Sequence, residues 1–276
     1  MATLLGLGAA LAFGVSDFWA GVLSRRVHFA LVGLVSQAGS TLLVWVALPW
    51  AAGAGPSAGA VGWGVLSGVG GGFGSLALYR GLGRGQMTVV GPLSAVGGAA
   101  LPACVGVALG ERPVPLVVAG VLLALPAIAL VARPPAGTDG PSSASGWPDG
   151  LLAGAGFALL FIGLDRAGDD AGLWPVASGQ AAALLLLLVF VAVRRPPRPG
   201  NAVLAATGVG ALSVTATLLY FFAAHAGLLT VAAVLTSLYP GVTVLLATVL
   251  LHERATAAQR LGLALCAVAV TAIVVA

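Results

Sequence analysis

The sequence predicts an all-α, polytopic membrane protein of ten transmembrane helices arranged as two inverted five-helix repeats, and three observations carry that prediction. Of its 276 residues 59% are hydrophobic and 7% charged, where a soluble domain carries about 25% charged residues. Apolar runs of the length a bilayer demands, about 20 residues per helix, recur from end to end with short breaks. A Glu-Arg pair also stands twice at the same point between two apolar runs, in "GVALGERPVPLVVAGV" and in "LLATVLLHERATAAQRLGL". In a chain this poor in charge, such a recurrence marks a repeated unit.

The opening run, near 4 to 22, has no basic residue before it and is followed by Arg25 and Arg26. That polarity is wrong for a cleavable signal peptide, so the run reads as a retained first helix. Four more runs follow near 30 to 50, 61 to 80, 87 to 108 and 115 to 132. The longest polar break, "RPPAGTDGPSSASGWPDG", is rich in Pro, Gly and Ser and reads as a linker between halves. Beyond it the runs lie near 149 to 164, 172 to 193, 202 to 222, 227 to 249 and 257 to 275. The expected organisation is therefore a first repeat over 1–132, a linker over 133–148 and a second repeat over 149–276.

A shift of 142 residues takes Glu111-Arg112 onto Glu253-Arg254, Gly120 onto Gly262 and Ser94 onto Thr236. With small changes of shift Tyr79 meets Tyr220 and Gln37 meets Gln180. Five helices is an odd number, so the second copy enters the bilayer upside down, a construction common in secondary transporters. The arginines give an independent check. Loops after odd-numbered helices hold Arg25, Arg26, Arg80, Arg84, Arg133, Arg194, Arg195, Arg198, Arg254 and Arg260, whereas the other side holds Arg112 and Arg166. By the positive-inside rule the first group is cytoplasmic and both termini lie outside a multi-pass protein of the cytoplasmic membrane.

Composition excludes several classes. The net charge of +4 comes with no continuous basic stripe, so nucleic acid is not a partner; the arginines read as anchors for anionic headgroups of the lipid bilayer. The glycines of "SGVGGGFGSLALYRGLGRG" mimic a phosphate loop, but they sit on a membrane helix with no preceding strand and belong to helix packing. Cys104 and Cys266 lie in apolar runs and read as small packed hydrophobes. His225, placed in the turn after helix 8, and His252 do not supply the ligands of a zinc site. No metal, cofactor or hydrolytic arrangement is expected.

The stretch from "LYFFAAHAGLLTVAAVLTSLYPGVTVLLATVLLHERATAAQRLGLALCAVAV" resembles the EamA-type branch of the drug/metabolite transporter superfamily. The matching features are Tyr220, Pro240, Glu253 with Arg254, and Gly262; their first-half counterparts are Tyr79, Pro92, Glu111 with Arg112, and Gly120. "FGVSDF" resembles the family's first-helix pattern, except that Asp17 stands where an uncharged residue is usual. The resemblance implies cytoplasmic termini, opposite to the arginine count. It also implies a central solute cavity and export of amino-acid-like or amphipathic cargo.

The expected function is thus secondary transport of a small-molecule substrate, with a proton or other ion as coupling partner. A membrane-embedded lipid-modifying enzyme and a non-transporting scaffold are the alternatives. Substrate-binding candidates are Asp17, Trp19, Gln37, Tyr79, Gln180, Tyr220 and Tyr239. Asp17 is either a carboxylate that exchanges protons inside the membrane or one near enough to a helix end to reach water or Ser16. The glutamines either bond a polar solute or bond each other's helices. The tyrosines either wall a cavity or anchor at the interface, and Trp19 is included because it adjoins Asp17. Pro92, Pro102 and Pro240 shape or hinge their helices, and each Glu-Arg pair bonds loose helix ends at an interfacial turn.

Overall fold

The computed structural model describes residues 2–50, 55–84, 87–108, 114–131, 146–167, 171–197, 201–226 and 239–275. Ten α-helices lie among them: α1 (Ala2–Ser24), α2 (Phe29–Ala47), α3 (Ala58–Arg84), α4 (Met87–Ala108), α5 (Pro115–Val131), α6 (Trp147–Ala167), α7 (Trp174–Arg194), α8 (Ala206–Ala226), α9 (Tyr239–Leu250) and α10 (Ala257–Val275). Six of these, α1 to α3 and α6 to α8, are long and apolar enough to cross a membrane, while α4, α5, α9 and α10 contribute shorter described apolar stretches. The chain is an all-α, polytopic membrane protein. Residues 133–145 of the expected linker and the Glu111-Arg112 pair lie outside the described residues, as does the expected start of the ninth helix, whereas Trp147 and Pro148 already belong to α6. Pro240 stands in the first described turn of α9. His225 belongs to the last turn of α8 rather than to a loop, because that helix continues to Ala226.

Small residues decide how these helices meet. Lipid tails are as apolar as leucine, so helices in a bilayer gain little by hiding leucine from lipid and much by close backbone approach. Accordingly Leu4, Leu42, Leu122, Leu125, Leu185 and Val193 face outward, while alanine, glycine and serine fill the seams. Gly64, Gly68 and Gly72 of α3 lie against Pro175, Gly179 and Ala183 of α7, so those two helices run parallel. The same helix sets Ser67, Gly74 and Gly81 against Gly163, Phe157 and Asp149 of α6, which runs the opposite way. The glycine-rich run is a packing surface for two neighbours at once. Free Cys266 is buried between α5 and α10 as expected. Free Cys104 is exposed instead.

Contact registers give every direction from α1 to α9 except that of α5. Gly8 against Leu219 and Trp19 against Gly208 make α1 and α8 antiparallel. Gly14 against Val242 and Arg25 against Glu253 make α1 and α9 parallel. Gly33 against Leu187 and Gln37 against Gln180 oppose α2 to α7, and Ser36 beside Gly210 with Val44 in one cluster with Val214 aligns α2 with α8. Leu93 at Gly150 and Gly97 at Gly154 align α4 with α6. Hence α1, α3, α7 and α9 run one way and α2, α4, α6 and α8 the other. Their ends bring Arg25, Arg26, Arg80, Arg84, Arg194 and Arg254 to a single arginine-rich end of the molecule. Just inside it, Leu23, Leu78, Leu82, Met87, Val90 and Val209 form a buried plug drawn from both halves.

His28 starts α2 at this end, its Nδ1 accepting the Ala30 N–H at 3.3 Å. Only the neutral ring can accept there. Burial, then the charge of Arg84, holds its pKa below the ordinary histidine value of 6.5. The unfolded chain therefore takes up a proton more readily than the folded one, and stability falls as pH drops below about 6.5. Thermal unfolding between pH 7.5 and 5.5 should show this loss, and His28→Asn, which keeps a cap acceptor without a titrating ring, should flatten it.

Candidate functional site

Asp17 shares one stripe of α1 with Gly14 and Gly21, three and four residues away. Gly14 presses on Val242 and the Tyr239 carbonyl, and Gly21 on Met87 and Leu82. Asp17 is thereby aimed into the seam between α3, α4 and α9 rather than at lipid. The hydroxyls of Tyr79 and Tyr239 both lie within electrostatic reach of its carboxyl. Tyr79, only 6% exposed, also faces the hydroxyls of Ser36 and Ser213, while Tyr239 faces that of Ser94. Ser16 completes the group: its Oγ lies 2.6 Å from Ser213 Oγ and donates to the Val209 carbonyl at 3.1 Å. Thr243 Oγ1 donates to the Gly14 carbonyl at 3.1 Å and pins α9 to α1 beside Asp17. Phe13 stands against the Tyr239 ring at 6.0 Å between centroids.

One carboxyl within electrostatic reach of the Tyr79 and Tyr239 hydroxyls, which in turn face serines of α2, α4 and α8, can hydrogen-bond a polar or cationic group, with aromatic rings beside it for an apolar part. The remaining candidates lie elsewhere. Gln37 and Gln180 meet directly, the Gln37 amide donating to the Gln180 side-chain oxygen across α2 and α7. Thr41 strengthens that link by donating to the Gln180 carbonyl at 3.2 Å. Trp19, two positions from Asp17 and so about 200° around the helix, is 37% exposed on the outer face of α1. Tyr220 is half-buried on α8, seven residues beyond Ser213 and so about 10 Å along the helix from it. Ser36, Ser94 and Ser213 were not singled out as site residues by the sequence. Lone serines are common in membrane helices, and only the pairing of helices shows which of them converge.

At the arginine-rich end two ion pairs join the halves. Arg25 Nη2 donates to Glu253 Oε1 at 2.7 Å, and Glu253 Oε2 accepts the Thr88 N–H at 3.2 Å. The carboxylate thus caps the first turn of α4, where unsatisfied N–H groups favour negative charge. Arg80 donates to Asp149 through Nε at 2.8 Å and through Nη2. A Glu253 cap was legible as a bond to a loose helix end; that the helix belongs to the other half was not. Glu253→Ala should cost about 1–2 kcal/mol of stability through the lost cap. Arg25→Gln should cost about 0.5 kcal/mol, the worth of a partly exposed pair. Equal losses in thermal unfolding would show that the cap adds nothing.

The family model described as EamA-like transporter family matches residues 149–275. A solved protein titled only "Crystal structure of protein" shares the fold with a TM-score of 0.63 at 17% identity, over 98% of this chain and 95% of that one. No curated protein matches the chain by sequence. Residues 149–275, which hold α6 to α10 and the Glu253-Arg254 turn, are thus similar to the EamA-like transporter family.

Proposed function

We propose that the protein is a secondary transporter that exports small amphipathic solutes, amino-acid-like or drug-like, by alternating access around Asp17. The observation that carries this reading is the convergence of one carboxyl and several hydroxyls from both halves in a seam that faces the interior. The opposed directions of α1 and α6, α2 and α7, α3 and α8, and α4 and α9 support a duplicated, inverted unit with boundaries near 1–132 and 149–276. Such units rock against each other around a shared site. The leucine-rich plug and the two ion pairs support closure of the arginine-rich end. By the positive-inside rule that end is cytoplasmic, which leaves both termini outside the cytoplasmic membrane. Asp17 supplies the site for a coupling proton.

Purified protein in liposomes, offered a panel of amines, amino acids and aromatic solutes under an imposed pH gradient, tests the proposal. Gradient-dependent flux of unmodified solute is the expected result. Covalent change of lipid or solute would favour a membrane enzyme, and neither flux nor product would favour a scaffold.

A further inference from the structure

A groove runs along the outside of the molecule between α1 and α9, on the opposite side of α1 from Asp17. Val15, Phe18, Trp19, Val22, Leu246 and Leu250 line it, and it encloses about 290 Å³. Every lining side chain is apolar. From Val15 to Val22 it extends about 10 Å along α1, ending one turn short of the arginine-rich end. There Arg25 is committed to Glu253, while Arg26 and Arg254 are exposed and make no ion pair among the described residues. An apolar slot thus runs toward the end that carries two exposed cations, each the chain neighbour of one partner of the Arg25–Glu253 pair, which ties the end of α1 to the end of α9.

We propose that this groove is a binding site for an anionic phospholipid, one acyl chain lying in the slot and the phosphate on Arg26 and Arg254. Charge complementarity selects the occupant. A zwitterionic lipid brings a cation of its own toward the two arginines and forfeits much of the attraction. A soluble protein segment would have to enter the hydrocarbon zone with unsatisfied backbone groups. The guanidinium groups suit a phosphate through paired N–H donors. The proposal stands apart from the transport reading, since neither Asp17 nor its hydroxyls take part.

Trp19 reports on the slot from within. Protein reconstituted in phosphatidylcholine vesicles would be titrated with phosphatidylglycerol carrying brominated acyl chains and, separately, with brominated phosphatidylcholine. The Trp19 share of the quenching is obtained by difference from Trp19→Phe. Trp19 should be half-quenched at an on the order of tenfold lower fraction of the anionic lipid than of the zwitterionic one. The double variant Arg26→Gln/Arg254→Gln should erase that preference with unchanged helicity by circular dichroism. Equal quenching by the two lipids would overturn the proposal, as would a preference that survives in the double variant. Absence of quenching by either lipid, the result expected if a second copy covers the groove, would overturn it as well.

Discussion

Asp17→Asn should lower solute flux in proteoliposomes by about 10- to 100-fold, the worth of one charge-assisted hydrogen bond to a buried partner. Asn has nearly the shape of Asp, so the contacts of Gly14 and Gly21 on the same stripe survive and thermal unfolding should barely move. Among the described residues, the variant also removes the one acidic side chain that acts on Tyr79 and Tyr239. Flux by the parent should therefore respond to pH, and whatever flux the variant retains should not. A variant with the parent's rate and the parent's pH response would remove Asp17 from the site, and the carboxyl-centred reading with it.

The largest effect on the fold itself is expected at Gly68. A Cβ placed there would lie 2.0 Å from the Gly179 carbonyl oxygen and 2.6 Å from its carbon, both backbone atoms of α7. No rotamer change relieves such a contact, and α3 and α7 must separate. Gly68→Ala should cost about 1–3 kcal/mol, and Gly68→Val should abolish monodisperse protein in detergent. Gly62 of the same helix is the control, since a Cβ there meets nothing within 4 Å. Alanine at Gly62 should be neutral or stabilise by up to about 1 kcal/mol through helix propensity. Similar losses at both positions would mean that propensity, not contact, governs these glycines.

Helix positions were legible because each apolar run is long and each break is polar. α3 is longer than expected, reaching Ala58 and Arg84. Its flanks carry glycine and arginine, which end a hydropathy run without ending a helix whose glycines are held by neighbours on two sides. Asp17 stood out because a carboxyl inside an apolar run is costly, and Tyr79 and Tyr239 were candidates beside it, but Ser36, Ser94 and Ser213 were not. Whether a serine faces a tyrosine or lipid depends on which helix packs on which, and the sequence carries no such map. The same limit explains Trp19, which adjoins Asp17 along the chain yet points the other way around the helix. The glutamines show the converse. Their matching places in the sequence were readable, and the packing of α2 on α7 brings them together.

The bond from Glu253 to the first turn of α4 spans 165 residues of chain. During translation, α4 emerges long before the carboxylate that finishes it, and Arg80 likewise waits for Asp149. The first five spans therefore enter the bilayer as an incomplete intermediate whose open ends are sealed only by the later product of the ribosome. A gene cut between residues 132 and 149 should yield two fragments that accumulate poorly apart and recover when synthesised in the same cell.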